Sequence, residues 1–185
     1  MRVISGYARG LKLDSVESDK VRPTTDRVKE ALFSILQFEI QGKSFLDLFG
    51  GTGQIGIEAI SRGAKEVVIV DDSIESLKTI KSNISKLKIK GNIKCIKSDA
   101  LKFLDDTSYM FDIAFLDPPY KSEVLNKDLL KISSKMNSSG IIITETPIED
   151  AVLEKANEFI LCKRYKYGKI MLNIYKNENY IGGES

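Results

Sequence analysis

The sequence predicts an α/β fold: a mostly parallel, seven-stranded sheet with helices on both faces, finished by an antiparallel hairpin. Three observations predict it. Short continuous apolar runs, among them Val67-Val68-Ile69-Val70, Ile113-Ala114-Phe115-Leu116 and Ile141-Ile142-Ile143, alternate with longer stretches of helical periodicity, the pattern of parallel strands buried on both faces. The first such run, Ser44-Phe45-Leu46-Asp47-Leu48-Phe49, ends in a glycine cluster that opens a helix. Near the end the rhythm breaks, and residues 158–166 and 169–176 form two extended runs joined by Tyr167-Gly168, so one strand must run antiparallel.

Taken in order, residues 3–13 read as a small hairpin or extended arm. Arg22-Pro23-Thr24-Thr25 then leads into a helix over 26–37, with Val28, Leu32, Ile35 and Leu36 on its apolar face and either Thr25 or Asp26 as N-cap. A strand over 44–49 is followed by a helix over 54–62 that stops at Gly63. Residues 65–70 form the second strand, rich in β-branched residues. The helix over 74–87 places Ile74, Leu77, Ile80, Ile84 and Leu87 at helical spacing. A short strand (93–97), a turn of helix (100–104), a strand (113–116), a helix (123–135) and a strand (141–146) follow, and a helix near 148–156 precedes the hairpin. One core suffices at 185 residues, and the expected division is an arm over 1–25 and a catalytic domain over 26–185.

Composition removes several chemistries. Histidine is absent, which excludes Ser-His-Asp and Cys-His schemes and the commonest metal ligand, so no metal is expected. Cys95 and Cys162 stand far apart and outside any C-x-x-C, as reduced thiols rather than a disulfide or metal pair. There is no apolar stretch of membrane-spanning length and no signal-peptide layout at the N-terminus, so the expectation is a cytoplasmic protein without a membrane partner. The net charge of +2 requires no polyanion, but eight lysines between Lys78 and Lys102 face the single acid Asp99. They are either a solvated face or a stripe turned toward nucleic acid.

Asp47-Leu48-Phe49-Gly50-Gly51-Thr52-Gly53 sets a strand-end carboxylate before a glycine turn, and Asp71 ends the next strand where an acid would grip a ribose diol. Gly51-x-Gly53-x-x-Gly56 also matches the dinucleotide-binding pattern for NAD. S-adenosylmethionine is favoured instead. Asp47 suits an ammonium and would repel a pyrophosphate, the terminal hairpin fits class I methyltransferase topology, and the fourth strand ends in an amine-acceptor motif. Asp99, after the third strand, is placed either to bind an adenine amino group or to cap the helix beginning near Ala100; both roles are compatible.

That acceptor motif is Asp117-Pro118-Pro119-Tyr120. Asp117 accepts hydrogen bonds, the prolines fix φ and leave carbonyls free, and Tyr120 offers a face on which a base stacks. A rigid acceptor pair beside an aromatic plate suits an exocyclic NH2 on a flat ring. The alternative is a Pro-Pro turn with a surface tyrosine.

With these residues in place the chain resembles the RsmD family of bacterial small-subunit rRNA guanine-N2 methyltransferases. The resemblance spans nearly the whole length: Ile4-Ser5-Gly6 and Arg9-Gly10, the block Arg22-Pro23-Thr24-Thr25-Asp26-Arg27-Val28-Lys29-Glu30-Ala31-Leu32-Phe33, Asp47 to Gly53, Ile57-Glu58-Ala59-Ile60-Ser61-Arg62-Gly63-Ala64, and Phe115 to Tyr120. Two positions depart from the family's pattern without touching cofactor binding: Asp71 where Glu is frequent, and G-G-T-G where A-G-T-G or A-G-S-G is common.

The resemblance implies a Rossmann-like class I S-adenosylmethionine-dependent methyltransferase with an N-terminal hairpin extension, acting on the 2-amino group of one guanine in 16S rRNA of the small ribosomal subunit; oligomeric state is open, with a monomer as the default expectation. It implies catalytic roles for Asp117, Pro118, Pro119 and Tyr120, and cofactor contacts from Asp47, Phe49, Gly50, Gly51, Thr52, Gly53, Asp71, Asp99 and Ala100. It implies RNA contacts from Arg9, Arg22, Thr24 and Arg27, whose arginines could equally be surface ion pairs. Two other readings stay open: an amino-methyltransferase acting on adenine N6 or cytosine N4 of DNA or RNA, and a non-catalytic RNA-binding assembly factor on the same fold.

Overall fold

The computed structural model describes residues 1–16, 24–87, 92–119 and 122–180. Its elements are α1 (Asp26–Ile35), β1 (Ser44–Asp47), α2 (Gln54–Ser61), β2 (Glu66–Asp71), α3 (Ile74–Lys86), β3 (Asn92–Lys97), α4 (Ala100–Asp106), β4 (Phe111–Leu116), α5 (Ser122–Ser133), β5 (Met136–Pro147), β6 (Lys155–Ala156), β7 (Phe159–Tyr167) and β8 (Ile170–Asn177). All these strands join one sheet in the order β3-β2-β1-β4-β5-β8-β7-β6. Strands β1 to β5 pair in parallel, and β8 inserts antiparallel between β5 and β7.

The alternation of side chains along each strand divides the core into two layers. Val67 and Ile69 face one side with Phe45, Phe115 and Ile143, under α1, α2 and α3. Val68 and Val70 face the other with Leu46 and Leu116, under α4 and α5. Helix α1 starts where Thr25, not Asp26, accepts the Val28 N–H, and it drives Leu32 and Phe33 fully into the first layer. Each of those two side chains contributes about 1.5–3 kcal/mol by burial. Phe33 stacks on Phe45 with centroids 6.4 Å apart.

Two expectations need correction. No helix covers 148–156; the chain there is a turn, an irregular stretch and the two-residue strand β6, which makes the sheet eight-stranded rather than seven-stranded. Local propensity loses to neighbours that take the backbone groups. Ile148 N–H donates to Lys169 O, Leu153 N–H to Asn126 Oδ1, and Tyr175 Oη–H to Leu153 O. The same stretch accepts Leu161 N–H at Glu154 O, and Asn157 turns at φ 53° into β7.

The arm is a hairpin without regular strands, carrying one antiparallel bridge, Arg2 to Lys12. Val3 and Leu13 pack with Ile57 and Leu87 in a small third cluster, which seats the arm on α2 and α3.

Candidate functional site

Parallel strands bring their carboxyl ends to one edge, and here that edge collects acids. Asp47 ends β1 and Asp71 ends β2, while Glu145 lies near the end of β5 and Asp117 just beyond β4. Asp47 pairs with Phe115, two residues before Asp117, and Leu116 pairs with Thr144, one residue before Glu145. By the two-residue period all four acids fall on the α1–α2–α3 side of the sheet.

The glycine loop closes this edge from below. Gly51 and Gly53 take φ of 54° and 76°, left-handed backbone that a side chain would strain. At Gly50 a Cβ would stand 2.3 Å from Ile69 Cγ2. Asp71 pins the loop with both oxygens, accepting Gly51 N–H at 2.8 Å and Ser73 N–H at 2.9 Å. Asp47 Oδ2 accepts Gly56 N–H at 2.9 Å from the first turn of α2.

Burial, then the charges of Asp71 and Asp117, push the Asp47 carboxyl up to about 7 against the Gly56 hydrogen bond. Burial also raises Asp71, and pushes the half-buried Asp117 up to about 7. Glu145 rises to about 8, through burial first and the Asp117 charge second, with a hydrogen bond from Thr24 pulling the other way. Glu145 is buried, and its Oε2 has no hydrogen-bond partner among the described residues. An edge of raised acids over a tight glycine turn favours a ligand bringing positive charge and N–H or O–H donors, and it disfavours a pyrophosphate. The residues present therefore fit a cofactor with an ammonium and a ribose diol.

The other expected cofactor residues are placed less uniformly. Phe49 is half-buried beside the second layer. Thr52 is buried, its hydroxyl directed at Met1 Sδ (3.3 Å) and its carbonyl accepting from Asn83, so it ties the loop to the arm and α3. Asp99 is the N-cap of α4, accepting Lys102 N–H at 3.1 Å, and Ala100 is buried behind it. Of the acceptor motif, Asp117 and Pro118 are half-buried and Pro119 is exposed; Tyr120 lies outside the described residues, as do Arg22, Lys88 and Lys90.

Thr24, expected among RNA contacts, is half-buried at this edge, its carbonyl accepting from Gln54 Nε2 at 3.0 Å and its hydroxyl reaching Glu145. Arg9 and Arg27 are exposed. Two members of the lysine stripe are engaged within the chain: Lys86 pairs with Asp14, and Lys94 bonds the Tyr109 hydroxyl.

The sequence reading missed two acids. Glu145 interrupts an apolar strand, and Asp128 sits on the buried face of α5 with Leu125, Leu129 and Ile132; an acid inside such a pattern was the available signal. Asp128 is fully buried with neither carboxylate oxygen partnered among the described residues, and burial followed by the Asp99 charge pushes it up to about 7.

The arm's role is also clearer in three dimensions. Glu58 on α2, fully buried, accepts the N–H groups of Ile4 (2.8 Å) and Ser5 (2.9 Å) and Arg62 Nε–H (2.8 Å). Ser61 Oγ–H donates to Ser5 O at 2.6 Å and its Oγ accepts Ala8 N–H, while Gly6, at φ 80°, has no room for a Cβ against Ser61 O. Buried Lys29 donates to Arg2 O at 2.6 Å. Ile4-Ser5-Gly6 is a docking motif for α2.

Among known proteins, a family model described as conserved hypothetical protein 95 matches residues 1–176. Ribosomal RNA small subunit methyltransferase D of Escherichia coli (strain K12) is 33% identical over 181 residues, covering 96% of this chain and 90% of that one. The Bacillus subtilis (strain 168) protein YlbH is 35% identical over 181 residues, 95% of this chain and 98% of that one. The solved structure of Escherichia coli yhhF superposes with a TM-score of 0.87 at 28% identity, covering 96% and 98% of the two chains.

Proposed function

The chain belongs to the RsmD family of rRNA methyltransferases, and from that premise and the geometry of the sheet edge we propose that it transfers a methyl group from S-adenosylmethionine to the exocyclic N2 of one guanine in 16S rRNA of the small ribosomal subunit. Its fold is that of a class I methyltransferase. The observation that carries the reading is the position of Asp117-Pro118-Pro119 at the carboxyl edge, one strand from Asp47 and its glycine cradle.

Asp47, Asp71 and the Gly50-Gly51-Thr52-Gly53 turn hold the cofactor, with Phe49, Asp99 and Ala100 along its adenosine side. When bound, S-adenosylmethionine supplies a methyl group already activated on a sulfonium. The protein's task is alignment. The Asp117 carboxylate and the Pro118 carbonyl accept the two N–H bonds of the amino group, which returns electron density to its nitrogen, and Tyr120 stacks on the ring. Those N–H donors favour the charged form of Asp117 against the burial that raises it. The proton leaves after transfer, so no histidine base is required. The amino group reaches this recessed edge when the guanine is flipped from its loop.

The arm over residues 1–25, through Arg9, Arg22 and Thr24, and Arg27 at the start of α1 contact the rRNA backbone. The enzyme works as a monomer in the cytoplasm; no helix among the described residues is long and apolar enough to cross a membrane. Mass-spectrometric mapping of methylguanine in rRNA from a deletion strain, with and without this chain restored, tests the reading. N2-methylguanine that disappears and returns is the expected result, and unchanged rRNA would overturn it.

A further inference from the structure

Glu145 is the acid that this chemistry leaves over. It stands one strand across from Asp117 on the same face of the sheet, more than nine-tenths buried, with Oε2 taking no hydrogen bond from the described residues. Native proteins rarely keep a buried oxygen in that state without a reason. Among the described residues, the groups facing it bring no cation: the Asp117 carboxyl on the β4 side, the Thr24 hydroxyl from the α1 side, and Leu172 opposite on β8. An N–H donor arriving with the substrate would complete it.

Guanine carries that donor beside the reacting group. Its ring N1–H adjoins the 2-amino group, so a base whose amino hydrogens meet Asp117 and Pro118 presents N1–H to a neighbouring acceptor. Beside the amino groups of adenine and cytosine stand ring nitrogens that only accept, and an ionised carboxylate only accepts as well. Resting on the reading of the site as a guanine-N2 methyltransferase, we infer that Glu145 Oε2 accepts the N1–H of the flipped guanine and selects guanine over adenine and cytosine. A wrong base would set two acceptors face to face, the arrangement by which buried polar sites reject analogues most strongly. The donor also relieves Glu145, whose carboxyl is otherwise held up at about 8, because an N–H hydrogen bond favours the charged form.

The test pairs one change in the protein with one in the base. Glu145→Met removes the acceptor at similar volume, and 2-aminopurine keeps the 2-amino group while losing the N1 hydrogen. Methyl transfer is measured for the parent and the variant on unmethylated small subunits assembled with guanine or 2-aminopurine at the mapped position, in mildly alkaline buffer where Glu145 is charged. Each single change lowers kcat/KM about 100-fold, and the two together lower it no further. Cofactor affinity by calorimetry stays at the parent's value, and Tm holds or rises because a raised acid is gone. Losses that multiply would overturn the inference. So would a parent enzyme that accepts 2-aminopurine as well as guanine, a result independent of how the variant folds. Methylation by the parent of another base or atom would sink the underlying reading instead; N2-methylguanine with multiplying losses would sink only the role of Glu145.

Discussion

Glu58 and Glu145 are the same side chain, both buried, in two regions that treat it in opposite ways. At the junction of the arm with α2, Glu58 receives two backbone N–H groups and the Arg62 guanidinium. At the carboxyl edge, Glu145 faces another acid and keeps one oxygen without a donor among the described residues. Asp112, at the opposite end of the sheet, sides with Glu58: burial pushes it up, but hydrogen bonds from Ser44 and Asn137 outweigh this and hold it below the usual carboxylate range. The contrast separates acids that build the fold from acids that wait for a ligand. Between these two regions, a buried acid that the chain satisfies is structural, and one at the carboxyl edge that it leaves unsatisfied is directed outward.

The largest expected effect falls on the outward set. Asp117→Ala should lower methyl transfer by about 10²–10³-fold, the scale of removing one preorganised electrostatic contact. Calorimetric cofactor binding should persist and Tm should hold or rise, since a raised acid is gone. A variant that keeps full activity would sink the proposed chemistry.

The structural set should respond the other way. Glu58→Ala strands two amides and Arg62 in a buried place, and removing one partner of such a cluster costs about 3–5 kcal/mol. Urea unfolding measures this. Glu145→Gln, which removes an acid that nothing neutralises, should cost far less. Equal costs would erase the distinction between the two regions.

The distinction also has a pH signature. Asp47 and Asp117 titrate at about 7 and Glu145 at about 8 in the folded chain, against ordinary values of about 4 in the unfolded chain. Between those limits the unfolded chain binds fewer protons, so stability falls as pH rises through the window. Tm of the cofactor-free protein should therefore decline from mildly acid to mildly alkaline buffer. The gain in Tm on adding S-adenosylmethionine should grow over the same range, because its ammonium favours ionised Asp47. A flat profile would contradict the raised values.

Much of this edge was legible in the amino-acid sequence. Apolar runs announce strands, glycines announce a loop that only they fit, and an acid at the end of a run lands on the carboxyl edge by arithmetic. Asp47, Asp71 and Asp117 were found that way. Glu145 was not, because its meaning depends on the strand beside it: only the pairing of Leu116 with Thr144 sets it next to Asp117. The stretch over 148–156 failed for a related reason, its backbone hydrogen bonds going to α5, β7 and β8 rather than to itself. The arm's motif was visible, but its docking on Glu58 and Ser61 was not, since those partners lie more than fifty residues away.

Asp71 belongs partly to each class. It shapes the glycine loop through Gly51 and Ser73, and it is also raised by burial as a ligand-facing acid is. Asp71→Ala should weaken cofactor binding about 10–100-fold, combining the loss of a charge-assisted acceptor with a loosened loop. Asp47→Ala should act in the same direction. Calorimetry checks both, and an unchanged affinity in either would remove that residue from the cofactor site.

The smallest effect tests whether the arm is structure alone. Its backbone is pinned by Glu58 and Ser61, yet Arg9 stands exposed on it and Arg27 is exposed near the start of α1. A fixed backbone with an exposed cation is suited to holding a phosphate, because the ordering is complete before RNA arrives. Arg9→Ala should leave Tm and cofactor affinity unchanged and reduce the salt dependence of rRNA binding by about one unit of slope, as loss of one phosphate contact does. Arg27→Ala should do the same independently. If neither substitution alters the slope, the arm belongs wholly with Glu58, as a device for holding α2 and the glycine loop in place, and the rRNA must be gripped elsewhere.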